Sequence, residues 1–238
     1  MKTAIVTGAS GIIGSAIVKK LVADGFNVYA HYNHNLENVD RLSKEYGNVT
    51  SVKFDLSKSE EIAAAYEKYF AKSKIDVLVN CAGVGLYKLA TQTSEKEWQD
   101  LFSVNVTGAH YLTSLVLNGM IERKSGKIIN VSSIWGNVGA AMEVAYSASK
   151  AAIIGYTKAL AKEVGYSGIN VNCVCPGVID TPMNARFTKD EIKELIDSTP
   201  MGRIGTGEDV AELVGFLSGE KSDFITGQII TVDGGFAL

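Results

Sequence analysis

Tyr146 and Lys150 stand four residues apart, and Ser133 precedes the tyrosine by thirteen. The run that follows (Ala151, Ala152, Ile153, Ile154, Tyr156, Ala159, Leu160) has helical spacing, and residues four apart share a helix face. A free phenol titrates near about 10, and a neighbouring ammonium favours its ionised form and lowers that value. Tyr146 beside Lys150 is therefore a candidate acid or base for a substrate oxygen. Ser133 follows the apolar run Lys127–Val131, which has the composition of a buried strand. Its hydroxyl falls at a strand's C-terminal end, where open α/β sheets bind ligands. Taken alone, the spacing equally describes a half-buried helix tyrosine and a solvated lysine. The rest of the chain decides.

The elements that must position these groups alternate between strand and helix. Thr3–Val6 is an apolar run that leads into Thr7-Gly-Ala-Ser-Gly-Ile-Ile-Gly14, after which Ile13, Ile17, Val18 and Leu21 recur at helical spacing. Strand, glycine turn and helix in that order can seat a pyrophosphate against the helix N-terminus. Further strands are expected at 27–32, 49–54, 75–79, 127–131, 169–175 and 228–232, with helices at 57–72, 94–121, 145–164 and 208–217. Ser94-x-x-Glu97 and Thr188-x-x-Glu191 are capping boxes. Asn105 is a polar residue among Phe102, Val104 and Val106, and a local backbone bond is its expected partner. The alternation predicts an α/β fold, a Rossmann-type doubly wound parallel sheet of about seven strands, in a single domain spanning 1–238. The long excursion 178–205 lies where substrate lids occur.

Composition narrows the class. The chain has 238 residues, 46% of them hydrophobic, and a net charge of −3, which leaves no basic footprint for nucleic acid. The first apolar run is too short for a signal peptide, and no span reaches transmembrane length. Cys81, Cys173 and Cys175 form no Cys-x-x-Cys pair, and the histidines show no metal spacing. Neither a disulfide framework nor a metal site is expected; buried thiols in a reducing cytoplasm are. Each of the three histidines reads as a surface or core residue.

Together these motifs resemble the short-chain dehydrogenase/reductase family, in its short single-domain branch. The likeness covers nearly the whole chain: Thr7-Gly8…Gly14, Asp55, Asn80-Cys-Ala-Gly83, Asn105, Ser133, Tyr146-x-x-x-Lys150, Pro176-Gly177, Thr181 and Asp233-Gly-Gly235. It implies a catalytic tetrad of Asn105, Ser133, Tyr146 and Lys150. Tyr146 would protonate a carbonyl oxygen, Ser133 would bond that oxygen, Lys150 would hold the nicotinamide ribose, and Asn105 would anchor a water chain. It also implies cofactor contacts from Gly8, Ser10, Gly11, Ile12, Ile13 and Gly14, from Asn33 and His34, and from Asp55 and Leu56. Others would come from Asn80, Ala82 and Gly83, from Tyr146 and Lys150, and from Pro176, Gly177, Ile179 and Thr181. The glycine turn departs from the branch pattern, since Ile12 replaces its middle glycine.

An acid after the second strand would select NAD by binding both ribose hydroxyls. Asn33, His34 and Asn35 offer none, so NADP(H) is expected over NAD(H). Within the family, Pro200-Met-Gly-Arg-Ile-Gly and the C-terminal Gly227–Gly235 are similar to 3-oxoacyl-acyl-carrier-protein reductases. That implies a carrier-bound substrate, a cytoplasmic enzyme and a homotetramer. Ser133-Ile-Trp-Gly136 and Glu143-Val-Ala-Tyr146 also resemble elongation factor P 5-aminopentanone reductases, which reduce a ketone on a modified lysine. Trp135 and Glu143 are the candidate substrate contacts, although a loop glutamate is more commonly solvated. Enoyl reductases are less similar, because that group spaces its tyrosine and lysine more widely. A small ketone or alcohol is a further alternative substrate, while a nucleotide-binding regulator that has lost catalysis is the reading from a different class, and the intact tetrad speaks against it.

Overall fold

The computed structural model describes residues 1–182 and 187–237. Seven strands form one sheet: β1 (Thr3–Val6), β2 (Asn27–Tyr32), β3 (Val49–Lys53), β4 (Val77–Asn80), β5 (Gly126–Val131), β6 (Ile169–Pro176) and β7 (Ile229–Val232). All pair in parallel, in the order β3-β2-β1-β4-β5-β6-β7. Successive strand residues face opposite sides of a sheet. In β1, Ala4 and Val6 join one core while Ile5 joins the other; in β4, Val77 and Val79 face one way and Leu78 the other. Helices on both faces therefore require the unbroken apolar strands seen in the sequence.

On one face lie α1 (Ile12–Ala23), α2 (Leu36–Glu45) and α9 (Gly207–Ser218), which share a core with Ile17, Leu21, Val39, Leu42, Val210 and Val214 buried. The other face carries α3 (Ser59–Ala65), α5 (Ala109–Arg123) and α7 (Val144–Val164), with Ile62, Leu112, Val116, Met120, Leu160 and Val164 inward. The single helix expected over 94–121 is interrupted. α4 (Glu95–Phe102) passes into a π turn at Ser103–Gly108 before α5 begins. A π turn shifts the hydrogen-bond ladder by one residue and is frequent at functional sites. Asn105 sits on this turn. The helix expected over 57–72 likewise turns π at Tyr66–Phe70.

Two short helices were not foreseen: α2, and α6 (Ile134–Val138), which starts directly after Ser133. Both capping boxes formed, at α4 and at α8 (Lys189–Asp197). The excursion 178–205 is stitched at its base, where Gly205 N–H donates to Val178 O at 2.9 Å and Asp180 N–H to Gly205 O at 2.9 Å. Residues 183–186 of that proposed lid lie outside the described residues. None of the described helices is long and apolar enough to cross a membrane.

Candidate active site

Every residue named for the site lies on the sheet's C-terminal edge or on a helix leading from it. Tyr146 and Lys150 are both buried, on the first turns of α7. The Lys150 ammonium donates to Val131 O at 2.9 Å and lies 5.7 Å from the centre of the Tyr146 ring. Ser133 caps α6, accepting from Trp135 N–H at 3.2 Å, and its hydroxyl also bonds the Tyr146 phenol. Asn105 is tied non-locally rather than to its own helix. It accepts from Val84 N–H at 2.8 Å and donates to Val84 O at 2.9 Å and Ser149 Oγ at 3.0 Å. The shifted ladder of the π turn thus points this side chain at the β4 loop and α7.

The expected lowering of the Tyr146 pKa is not what the structure gives. Burial pushes the phenol up to about 12; the Ser133 hydroxyl pulls it down, and the Glu143 and Cys81 charges push it further up. Burial likewise lowers Lys150. Desolvation penalises the charged form of each and is the largest cause of both shifts. Tyr146 therefore stays protonated at neutral pH, the form that could give a proton. Glu143 is not the solvated loop residue expected: it is 6% exposed, at the N-cap of α7. Trp135 is partly buried, packed edge-to-face on Phe236 with ring centres 5.9 Å apart.

The sheet order reverses between β1 and β4, the switch point where such folds bind ligands. Gly8 has φ +69°, and a Cβ there would lie 2.7 Å from Ala82 Cα, so the two loops touch. Thr7 Oγ1 joins them, accepting from Cys81 N–H at 3.0 Å and Ala82 N–H at 3.1 Å. Gly11 caps α1 without a side-chain bond. Ile12 is the first helical residue, 41% exposed, so no glycine is needed there. A Cβ on Gly83 would stand 3.1 Å from Lys150 Nζ and 3.4 Å from Asn105 Oδ1. A bare backbone beside an ammonium, opposite a helix N-terminus across the switch point, fits a dinucleotide laid along this edge.

At the far end, burial alone would raise the Asp55 carboxyl. Bonds from the Ser57 N–H and hydroxyl, with Lys58 and Asn33 nearby, hold it below its ordinary value instead. His34 is exposed. The side chain of Asn80 turns inward, donating to Thr113 Oγ1 and Asn130 Oδ1, each at 2.9 Å, and so braces β4 against α5 and β5. Leu56 is buried under the π turn. Pro176 ends β6 and Gly177, Ile179 and Thr181 follow it, where Gly177 N–H donates to Val232 O at 2.9 Å.

Sequence reasoning missed His31 and Ser149. His31, 2% exposed, accepts from Gly8 N–H at 3.1 Å through Nδ1 and bonds Phe54 O at 2.9 Å through Nε2. Ser149 joins Asn105 to the Tyr146 carbonyl. The one available signal for His31 was a titratable residue inside an apolar strand.

A fold and a site of this kind define a class. A family model described as enoyl-(acyl carrier protein) reductase matches residues 8–237. The Bacillus subtilis oxidoreductase YmfI is 40% identical over 99% of this chain and 98% of its own. A 3-oxoacyl-[acyl-carrier-protein] reductase of Chlamydia trachomatis is 40% identical over 99% and 97%. A solved structure from Beutenbergia cavernae, described as an NAD(P)-dependent gluconate 5-dehydrogenase with bound NADP, superposes with a TM-score of 0.93. It is 33% identical and covers 99% of this chain and 96% of its own. The chain belongs to the short-chain dehydrogenase/reductase family. It is an NAD(P)-dependent oxidoreductase.

Proposed function

We propose that this enzyme reduces a ketone with NADPH, its substrate being a 3-oxoacyl thioester on acyl carrier protein. The observation that carries the chemistry is a buried, protonated Tyr146 phenol bonded to Ser133 and flanked by Lys150. A nicotinamide held along this edge by the α1 N-terminus, Gly83 and Lys150 would supply the hydride that the carbonyl carbon receives. Tyr146 gives its proton to the carbonyl oxygen, whose alkoxide form is a stronger base than phenolate, so the transfer runs downhill. Ser133 donates to the same oxygen and fixes its position. Lys150, beside Gly83, would hold the ribose hydroxyls. Asn105, bonded through Ser149 to the start of α7, keeps the π turn and the β4 loop in register.

The preference for NADPH rests on the end of β2, where Asn33 and His34 supply no acid and Asn33 bonds Asp55. Arg41 on α2 adds positive charge near the turn: it reaches Asn38 Oδ1 at 3.5 Å, and Asn38 donates to Ser10 O at 2.9 Å. The carrier substrate is supported by relatives of that name matched over 97% and 98% of their own length. A homotetramer in the cytoplasm accords with the family resemblance.

One observation favours a second substrate. Glu143 is buried three residues before Tyr146 and acts on its charge. A carboxylate there suits a cationic aminoketone borne on a protein better than a neutral thioester. Acetoacetyl-acyl carrier protein and a 5-amino-2-ketone on a lysine peptide, compared with NADPH, separate the two. Turnover of the thioester at about 1–1000 per second supports the carrier substrate. No thioester turnover, with NADPH binding intact and the aminoketone reduced, overturns it in favour of the second.

A further inference from the structure

We propose that His31 is a positioning residue for the cofactor pyrophosphate, setting the glycine turn through two consecutive backbone amides. This rests on the dinucleotide reading of that turn. The Gly8 N–H donates to His31 Nδ1 at 3.1 Å, and the next amide, Ala9 N–H, donates to the His31 carbonyl at 2.8 Å. An N–H can only donate, so Nδ1 carries no proton. The ring proton is then on Nε2, which donates to Phe54 O at 2.9 Å. The ring also leans on the Phe54 ring, with centres 4.0 Å apart. Burial holds the imidazole neutral, with its pKa lowered to about 4.

Three consequences follow from this geometry. First, both amides point back at β2, leaving the N–H groups that open α1, after the bare Gly11 cap, to face an anion. Second, Gly8 is the turn's one residue in the left-handed region, and His31 grips that residue. A turn anchored there tolerates Ile12, which simply begins the helix. Third, the bond to Phe54 O ties the turn after β1 to the backbone just before Asp55. The phosphate and adenine ends of the cofactor crevice thus share one imidazole as their spacer.

The two bonds can be removed separately. In His31→Asn the side-chain oxygen takes the place of Nδ1 and still accepts from Gly8. His31→Gln reaches the Nε2 position and still donates to Phe54. His31→Leu keeps neither. NADPH dissociation constants from cofactor fluorescence, the KM for NADPH, kcat at saturating cofactor, and melting temperature are measured for each. We expect Leu and Gln to weaken NADPH binding and raise its KM by about tenfold, the scale of one lost hydrogen bond. Their kcat should stay within about twofold, and Asn should recover most of the affinity. Equal NADPH binding by all variants, or rescue by Gln and not by Asn, overturns the inference. Should Leu fail to fold, the Asn–Gln pair alone decides. A wild-type protein that binds neither NADPH nor NADH would instead overturn the dinucleotide reading itself.

Discussion

Tyr146 owes its protonation state to its surroundings more than to the lysine four residues on. Burial raises the phenol to about 12 and the Glu143 carboxylate pushes the same way. The sign of the pH dependence follows. In the proposed mechanism reduction uses the phenol, which is present throughout the neutral range, so its rate should not vary with this group there. Alcohol oxidation uses the phenolate, whose fraction below the pKa grows about tenfold per pH unit. Replacing Glu143 by Gln removes a charge that holds the proton on. The oxidation profile of Glu143→Gln should therefore shift to lower pH, with a several-fold higher rate near pH about 9. An unchanged or opposite shift would show that Glu143 does not act on Tyr146. The types and spacing of Tyr146, Lys150 and Ser133 were legible in the sequence. The direction of the tyrosine's shift was not, because desolvation depends on what the fold stacks over the ring. Glu143 misled for the same reason, since a glutamate's type predicts solvent until a loop closes on it.

Among the elements, strands were legible because both faces of the sheet are covered, and such strands read as plain apolar runs. α2 escaped because only Val39 and Leu42 on it are buried, too narrow a stripe to mark a helix. The π turn carrying Asn105 escaped because a ladder shift leaves no trace in side-chain periodicity. Helix α1, which begins at the phosphate turn, is held by its packing against α9. Leu21 is fully buried in that core with Val210 and Val214. Leu21→Ala should cost about 2–5 kcal/mol of unfolding free energy, read by chemical denaturation. A loss under about 1 kcal/mol would mean that the α1–α9 contact does not anchor the turn.

Across the whole molecule, the segment after β7 packs against α6 beside the candidate site. Phe236 packs on Trp135, and Met201 N–H donates to Gly234 O at 3.1 Å, joining the segment after β7 to the 178–205 excursion. The family resemblance anticipated the edge on which the candidate residues gather, because seven parallel strands send every loop that follows them to one side. His31 was not anticipated. Its partners, Gly8 and Phe54, each lie 23 residues away in sequence. The central claim is that one crevice binds NADPH while Tyr146 supplies the proton. Its most direct test compares wild type with Tyr146→Phe, measuring NADPH affinity and the rate of ketone reduction together. The account predicts a fall in turnover of about 10²–10⁴-fold, with NADPH affinity changed by no more than about threefold. Turnover retained in Tyr146→Phe would contradict it.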